Sequence, residues 1–336
     1  ERSEVGNGTP RPYGSIVADM DGDGDNDIIA ISNNETVPSL MVKMYESNGA
    51  IPPSYTLRAV SPGSFSRTVI TLWPKGVAVD HIDSDDLPDV VSCSVGKVSW
   101  HETNASPGLA VTTFTNHVVY TDTTSAFTGT DFLSVATADL NGDGRTDLVA
   151  ANNDTDEIWA WLNEEDEGDP EEIVWTLIVA ASGIAEPSMI ATADMNMDGH
   201  VDVVVADREG DRLLWLQNDG GATPAFSPVE ISSTVDGVRS IVVVDINTDG
   251  YPEIFSASNI DGRVTWWANG GGAAPVFTPT DITDSLADAY SVAVDDLDRD
   301  GDLDVVAATA DSEFQSGAVV WFESDGNDPP AYTPRG

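Results

Sequence analysis

The chain contains one cysteine, Cys93, so no intramolecular disulfide can form. Positive charge is scarce: 14 lysines and arginines face 58 aspartates and glutamates, for a formal net charge of −44. Coulomb repulsion then excludes nucleic-acid backbones and anionic membrane surfaces as partners. No apolar run in the sequence approaches the ~18 residues of a membrane-spanning helix, so membrane insertion is not expected. The four histidines, His81, His101, His117 and His200, show no ligand spacing. There is no G-x-S-x-G elbow, Walker loop or dinucleotide fingerprint. The chain therefore reads as a non-enzyme. What it does have is 40% hydrophobic residues, enough for a packed core. A compact chain this acidic repels itself, which calls for bound cations. Cys93, in a β-branched run from Asp89, reads as a small buried hydrophobe.

The sequence repeats. One unit runs from Ser134 to Ala151, and its pattern recurs from Ser15, Gly76, Ile190, Ile241 and Val292. The first loop positions, Asp19, His81, Asp139, Asp194, Asp245 and Asp296, are 62, 58, 55, 51 and 51 residues apart. Within each unit the apolar pattern has period two, and no segment carries a helical stripe. A strand such as Ser240–Val244 precedes the loop, and a short β-branched run such as Asp202–Val205 follows it. A third strand carries an aromatic residue, and Phe226–Ile231 and Phe277–Ile282 suggest a fourth. Four short strands in repeats of this length predict an all-β fold, a β-propeller of four-stranded antiparallel blades. The expected repeats are 14–70, 74–128, 132–184, 188–236, 239–287 and 290–336, in one domain spanning 1–336. The N-terminal segment 1–6 is expected to complete the last blade and close the ring, leaving no exposed sheet edge.

The chemistry lies in the pattern D-x-[DN]-x-D-G-x-x-[DE]. It occurs as Asp19-Asp21-Asp23-Gly24-Asp27, Asp139-Asn141-Asp143-Gly144-Asp147, Asp194-Asn196-Asp198-Gly199-Asp202, Asp245-Asn247-Asp249-Gly250-Glu253 and Asp296-Asp298-Asp300-Gly301-Asp304. Calcium takes six to eight oxygens at about 2.3–2.6 Å. Alternate residues of a tightly curled loop aim short carboxylate and amide side chains at one centre, and glycine at position six permits the sharp turn. The backbone carbonyl of position seven (Asp25, Arg145, His200, Tyr251 or Asp302) can add an oxygen, and the carboxylate at position nine closes the shell. Magnesium fits less well, because it demands a stricter octahedron and keeps its waters. Five calcium ions are expected. The second loop departs from the pattern, with His81 at position one and Asp86 at position six. Imidazole is a poor calcium ligand, so a sixth ion, on Asp83, Asp85 and Asp89, is the weakest expectation. Asp80 stands beside the first position of that loop.

These loops and their spacing resemble the FG-GAP/VCBS repeat family, which includes the integrin α-subunit propeller and integrin-like fungal lectins. The resemblance covers essentially the whole chain. It implies propellers that are commonly seven-bladed, against the six units visible here, with structural calcium in the connection between the first two strands of each blade. No Phe-Gly…Gly-Ala-Pro signature is present, so the chain looks closer to the VCBS-like branch. The implied function is an extracellular, secreted or cell-surface, binding or adhesion module for a glycan or an extracellular protein. The alternatives are a propeller-scaffold polysaccharide lyase or hydrolase, or a purely structural repeat of an extracellular assembly.

Trp100, Trp161, Trp215, Trp266 and Trp321, with Tyr45 in the first unit, read as an aromatic recurring at one position of each blade and packed between blades. Trp73, Trp159, Trp175, Trp267 and Tyr290 fall outside that set and are the better candidates for sugar stacking. Sequons at Asn7, Asn34, Asn104 and Asn153 lie in turn-like stretches and point weakly to a glycoprotein.

Overall fold

A computed structural model describes residues 12–32, 42–48, 55–60, 74–104, 113–122, 130–165, 172–310, 317–327 and 329–335. All regular structure among them is β-strand, in six four-stranded antiparallel sheets. Each sheet takes its strands in chain order, which is the blade of a β-propeller. The first blade holds β1 (Pro12–Ala18), β2 (Asp27–Ser32), β3 (Val42–Ser47) and β4 (Tyr55–Ala59). The second holds β5 (Pro74–Asp80), β6 (Asp89–Ser94), β7 (Lys97–Asn104) and β8 (Thr113–Thr121). The third holds β9 (Phe132–Ala138), β10 (Asp147–Asn152), β11 (Glu157–Glu165) and β12 (Ile173–Ser182). The fourth holds β13 (Pro187–Ala193), β14 (Asp202–Asp207), β15 (Arg212–Asn218) and β16 (Phe226–Ser232). The fifth holds β17 (Val238–Val244), β18 (Glu253–Ser258), β19 (Arg263–Asn269) and β20 (Phe277–Thr283). The sixth holds β21 (Ala289–Asp295), β22 (Asp304–Thr309), β23 (Val319–Ser324) and β24 (Tyr332–Arg335). Strand β24 pairs with β23 from Ser324↔Tyr332 to Trp321↔Arg335. Residues 1–6, expected to complete this blade, lie outside the described residues, as do Trp73 and the sequons at Asn7 and Asn34.

The chain divides into two compact units. The first comprises Glu1–Asp139, Gly144–Thr155 and Trp159–Ile178, and the second Leu140–Asp143, Asp156–Ile158 and Val179–Gly336. Within the first unit the inner strands β1, β5 and β9 pack side by side, and within the second β13, β17 and β21 do so. The cores lie between blades. Val91, Trp100, Phe132, Val135, Leu148 and Trp161 fill the space between the second and third blades. Trp215, Val238, Ile241 and Trp267 do the same between the fourth and fifth, and Phe255, Trp266, Val292 and Phe322 between the fifth and sixth. Burying an indole withdraws about 200 Å² from water, worth about 5 kcal/mol before entropy is counted. The second strands β10, β14 and β18 are buried at every residue. Sandwiched on both faces, they lack alternation and read as runs of small and β-branched residues. The outer strands β16 and β20 are largely exposed and carry Pro228 and Pro279, which blunt the sheet edge.

Every inner strand carries a bulge near its start, shifting register at Pro12/Gly14, Pro74/Gly76, Phe132/Ser134, Pro187/Met189, Val238/Ser240 and Ala289/Ser291. A bulge re-aims the extra residue. Three of these residues reach the next blade. The Lys75 ammonium meets Asp131 at 2.6 Å, the Ser188 hydroxyl donates to the Val238 carbonyl at 3.0 Å, and the Arg239 guanidinium lies 4.1 Å from the Tyr290 ring centre. At Gly76 a Cβ would stand 2.9 Å from the Val135 nitrogen, so the inner strands of the second and third blades approach too closely for a side chain.

Candidate metal centre

The six loops join the first and second strands of each blade. In five of them the carboxylate at position one accepts the N–H of the glycine at position six: Gly24 to Asp19 (2.9 Å), Gly144 to Asp139 (2.8 Å), Gly199 to Asp194 (2.8 Å), Gly250 to Asp245 (2.9 Å) and Gly301 to Asp296 (3.1 Å). These glycines have φ between 86° and 100°, the left-handed region that the sharp turn requires. Position four is also left-handed. Glycine serves there at Gly22 and Gly142, but Met197, Thr248 and Arg299 adopt φ of 58°, 59° and 66°. Non-glycine residues in this region cost of order 1–3 kcal/mol and persist where surrounding structure over-determines them, often at functional sites.

The carboxylates converge. One oxygen each from Asp19, Asp21 and Asp27 lie within 4.8 Å of one another, and the same holds for Asp296, Asp298 and Asp304. In the third, fourth and fifth loops an asparagine takes position three, and its amide donates to the position-five carboxylate: Asn141 to Asp143 (3.1 Å), Asn196 to Asp198 (2.8 Å) and Asn247 to Asp249 (3.1 Å). The fifth loop buries two carboxylate oxygens, Asp245 Oδ1 and Glu253 Oε1, that have no hydrogen-bond partner. A buried acceptor without a donor is costly and needs a partner such as an ion. Converging acidic oxygens, orphaned acceptors and strained turns fit a hard cation with oxygen ligands.

Position nine does more than close a shell. Its carboxylate is buried, and in the first, second, fourth and sixth loops it accepts two backbone N–H groups. Asp27 takes Met20 (3.1 Å) and Ser47 (2.8 Å), Asp89 takes Ile82 (3.2 Å) and Thr103 (2.8 Å), Asp202 takes Met195 (3.1 Å) and Asn218 (2.8 Å), and Asp304 takes Leu297 (3.2 Å) and Ser324 (2.9 Å). One donor is position two of the loop and the other lies at or near the end of the third strand, so the carboxylate bolts loop to sheet. Burial is the main cause that pushes Asp27 and Asp202 up to about 6, and Asp89 and Glu253 up to about 7, against the stabilising backbone donors. Neighbouring loop carboxylates push in the same direction. A cation at the centre of the loop relieves both effects.

The second loop differs in path as well as composition. None of residues 81–89 adopts positive φ, and the bond between positions one and six is missing. Instead the His81 N–H donates to Asp80 (2.9 Å), and Asp83 and Asp85 accept from Asp85 and Leu87 (2.9 and 2.8 Å). Asp83 and Asp89 remain on this loop, but Asp86 replaces the glycine that made the turn elsewhere.

In the fourth, fifth and sixth loops the position-seven side chain lies against the connection between third and fourth strands. A Cβ on Gly220, Gly271 or Gly326 would collide with the His200 ring, the Tyr251 ring or the Asp302 carboxylate. The Arg145 guanidinium donates to the Asn163 carbonyl at 2.7 Å. Asn163, Asn218 and Asn269 were not among the expected site residues, yet each is buried and bonds both its own loop and the loop of the preceding blade. Their signal in the sequence is an asparagine three residues after Trp215 and Trp266 and two after Trp161.

Three aromatic assignments change. Trp100, Trp215, Trp266 and Trp321 pair with the third residue of the second strand, but in the first blade that place is held by Met44 opposite Ile29, and Tyr45 lies opposite Ile28. Trp161 shares a core with Trp100, pointing back to the second blade, one step out of the common register. Trp267 is 4% exposed and its indole N–H donates to Ser256 at 2.9 Å, so it offers no platform for a sugar. Trp159 packs edge-on against Tyr120 and Phe132, and Trp175 packs against the same cluster. His101 takes the place of Trp267 in the second blade and meets Ser92 at 2.9 Å, while His117 stacks on Trp100 and bonds Glu102 at 2.7 Å. Cys93 is buried, and burial pushes its thiol up to about 12, as a structural residue requires.

The FG-GAP-like repeat pattern matches residues 81–150, 139–205, 194–256 and 245–307, which together span more than half of the chain. The chain belongs to the FG-GAP-like repeat family. Each matched FG-GAP-like segment begins at position one of a loop and ends within the second strand of the following blade. Among curated relatives, cartilage acidic protein 1 of Mus musculus is 27% identical over 150 residues, covering 40% of this chain and 23% of that protein. Integrin alpha-6 of Gallus gallus is 30% identical over 152 residues, covering 39% of this chain and 14% of that protein. The matched stretch is therefore less than a quarter of either relative. Among solved structures, BBS1N from its complex with ARL6DN shares the fold, with a TM-score of 0.54 at 13% identity over 94% of this chain and 80% of that one. No helix among the described residues is long and apolar enough to cross a membrane.

Proposed function

We propose that this FG-GAP-like propeller is a calcium-stabilised binding module of the cell exterior that recognises an extracellular protein or a glycan. The observation that carries the metal half is the convergence of Asp19, Asp21 and Asp27, and of Asp296, Asp298 and Asp304, within 4.8 Å. At neutral pH such triads concentrate like charge, and the net charge of −44 adds to the repulsion. Calcium would supply a compact double positive charge and complete the coordination of the orphaned Asp245 and Glu253 oxygens. The chain's own residues do the rest. Positions one and six fix the curl, position nine bolts the loop to the third strand, and position seven braces the next turn. The blades are thereby held as rigid supports for the loops at their ends, which is how propellers present a binding surface. The similarity to integrin alpha-6 and cartilage acidic protein 1 supports an adhesive role outside the cell, where calcium is abundant enough to fill sites of moderate affinity.

Equilibrium dialysis with metal analysis tests the calcium half, with uptake expected and reduced by the share of the first and sixth loops when Asp21 and Asp298 are replaced by alanine. Pull-down from extracellular extracts and a glycan array, both in calcium and in chelator, test the partner half. Calcium-dependent capture of a protein or glycan is the expected result. Absence of any partner in calcium would overturn it.

A further inference from the structure

The buried asparagines at the ends of the third strands connect loops of different blades. The Asn269 amide donates to the Pro252 carbonyl (3.0 Å), position eight of its own loop, and to the Met195 carbonyl (2.9 Å), position two of the preceding loop. Its side-chain oxygen accepts the Gly271 N–H at 3.0 Å. Asn218 repeats the arrangement with Val201 (2.9 Å), Leu140 (2.8 Å) and Gly220 (3.0 Å), and Asn163 donates to Thr146 (3.2 Å) and Ile82 (2.9 Å). Asn163, Asn218 and Asn269 are 1%, 1% and 6% exposed, so these bonds have no competition from water.

Position two is held from both sides. The Met195 N–H donates to Asp202, the closing carboxylate of its own loop, and the Met195 carbonyl accepts from Asn269 of the next blade. That carbonyl belongs to the same peptide unit as the N–H of Asn196, a candidate ligand at position three. A cation that draws in positions one, three and five of the fourth loop therefore fixes the acceptor that orients Asn269. Asn269 in turn anchors position eight of the fifth loop, directly before Glu253. Three of the six blades lack the asparagine, and Ser47 stands at that place in the first. Thr103 takes its place in the second blade and donates only to its own Pro88 carbonyl (2.6 Å), and Ser324 in the sixth accepts the Gly326 N–H (3.2 Å). Neither side chain bonds the preceding loop among the described residues.

We propose that Asn269 is a coupling residue, joining the position-two carbonyl of the fourth loop to position eight of the fifth so that their cations bind cooperatively. Asn163 and Asn218 repeat the device, and Ser324 leaves the sixth loop uncoupled from the fifth. The inference rests on the calcium reading of the loops, and its test separates the two.

Terbium replaces calcium and luminesces when excited through a nearby tyrosine, and Tyr251 at position seven marks the fifth loop, with Tyr251→Phe identifying the signal. Terbium affinity at that loop is measured in the wild type, Asp198→Ala, Asn269→Ser and the double variant. Asp198→Ala empties the fourth loop and is expected to weaken the fifth about fivefold or more while Asn269 is present. In the Asn269→Ser background the same change is expected to have no effect, and Asp298→Ala in the sixth loop is expected to leave the fifth unchanged. Serine already serves at position 324, so the fold accommodates it. Should Asn269→Ser fail to fold, Asn269→Asp keeps the acceptor for Gly271 and removes the donor, with the same expectation. No terbium uptake by the wild type overturns the calcium reading itself. Uptake with an equal response to Asp198→Ala in both backgrounds, or an equal response to Asp298→Ala, overturns the coupling alone.

Discussion

Asp202→Ala removes an acceptor that two buried backbone groups share. The side chain is 0% exposed, with the Met195 N–H at 3.1 Å on one oxygen and the Asn218 N–H at 2.8 Å on the other. Alanine leaves both donors buried without a partner. Each such group costs about 1–3 kcal/mol, so the pair costs about 2–6 kcal/mol with no metal present. That is a large share of a domain stability of about 5–15 kcal/mol. Asp198 of the same loop is exposed and accepts the His200 N–H (3.0 Å) and the Asn196 amide (2.8 Å). Water can replace it, so Asp198→Ala in chelator costs about 0.5 kcal/mol or less. Both variants are expected to lose the stabilisation that a cation in the fourth loop would add. The assay is urea unfolding followed by tryptophan fluorescence, in excess EGTA and in calcium, with the slope compared to confirm unchanged cooperativity. In EGTA the midpoint of Asp202→Ala falls far below that of Asp198→Ala. Coincident midpoints in EGTA would refute the idea that position nine is a bolt independent of the metal.

Thr248→Gly relieves a β-branched residue at φ 59° and is expected to raise stability in chelator by about 1 kcal/mol, read from the urea midpoint. Gly76→Ala puts a methyl group 2.9 Å from the Val135 backbone and is expected to cost about 1–3 kcal/mol, while Gly14→Ala meets only Ile31 at 3.4 Å and should be near neutral. Equal effects of these two alanines would contradict the close approach of the inner strands. His101 is held neutral, its pKa pushed down to about 3 by burial, with Lys97 and His117 adding to the shift. Its unfolded value is about 6.5, so between those limits the unfolded chain binds a proton that the fold refuses. The stability it contributes is complete above pH 6.5 and falls by up to about 1.4 kcal/mol per pH unit below it. His101→Leu should flatten the acid limb of the stability profile relative to the wild type, and parallel profiles would contradict the assignment.

The loops were legible in the sequence because their chemistry is local. A glycine at position six, short acidic residues at alternate places and a fixed spacing to the closing carboxylate all lie within nine residues. The inner strands were legible for the same reason, since Ser240–Val244 and its equivalents lead directly into a loop. The third strands were harder. Trp159–Trp161 and Val264–Trp267 are apolar or small at successive positions, because both faces of a blade are covered, and such a run does not reveal its phase. That is why Trp161 and Tyr45 were placed one step from their true register, and why Trp267 looked available for a ligand. The asparagine bonds were invisible for another reason: Asn163 to Ile82, Asn218 to Leu140 and Asn269 to Met195 span 81, 78 and 74 residues, a distance that no local pattern encodes. The inner-strand bulges leave no signature either, since the extra residue is lysine, leucine, serine, arginine or tyrosine from blade to blade.

Melting by scanning calorimetry in about 1 mM calcium and again in excess EGTA puts the metal question to the whole protein at once. A cation that binds only the folded loops stabilises them by about 2.7 kcal/mol per site at a hundred times its dissociation constant. Several filled loops should therefore lift the melting temperature by many degrees, and EGTA should return it. Identical transitions in the two buffers would contradict the claim that divalent ions hold these turns.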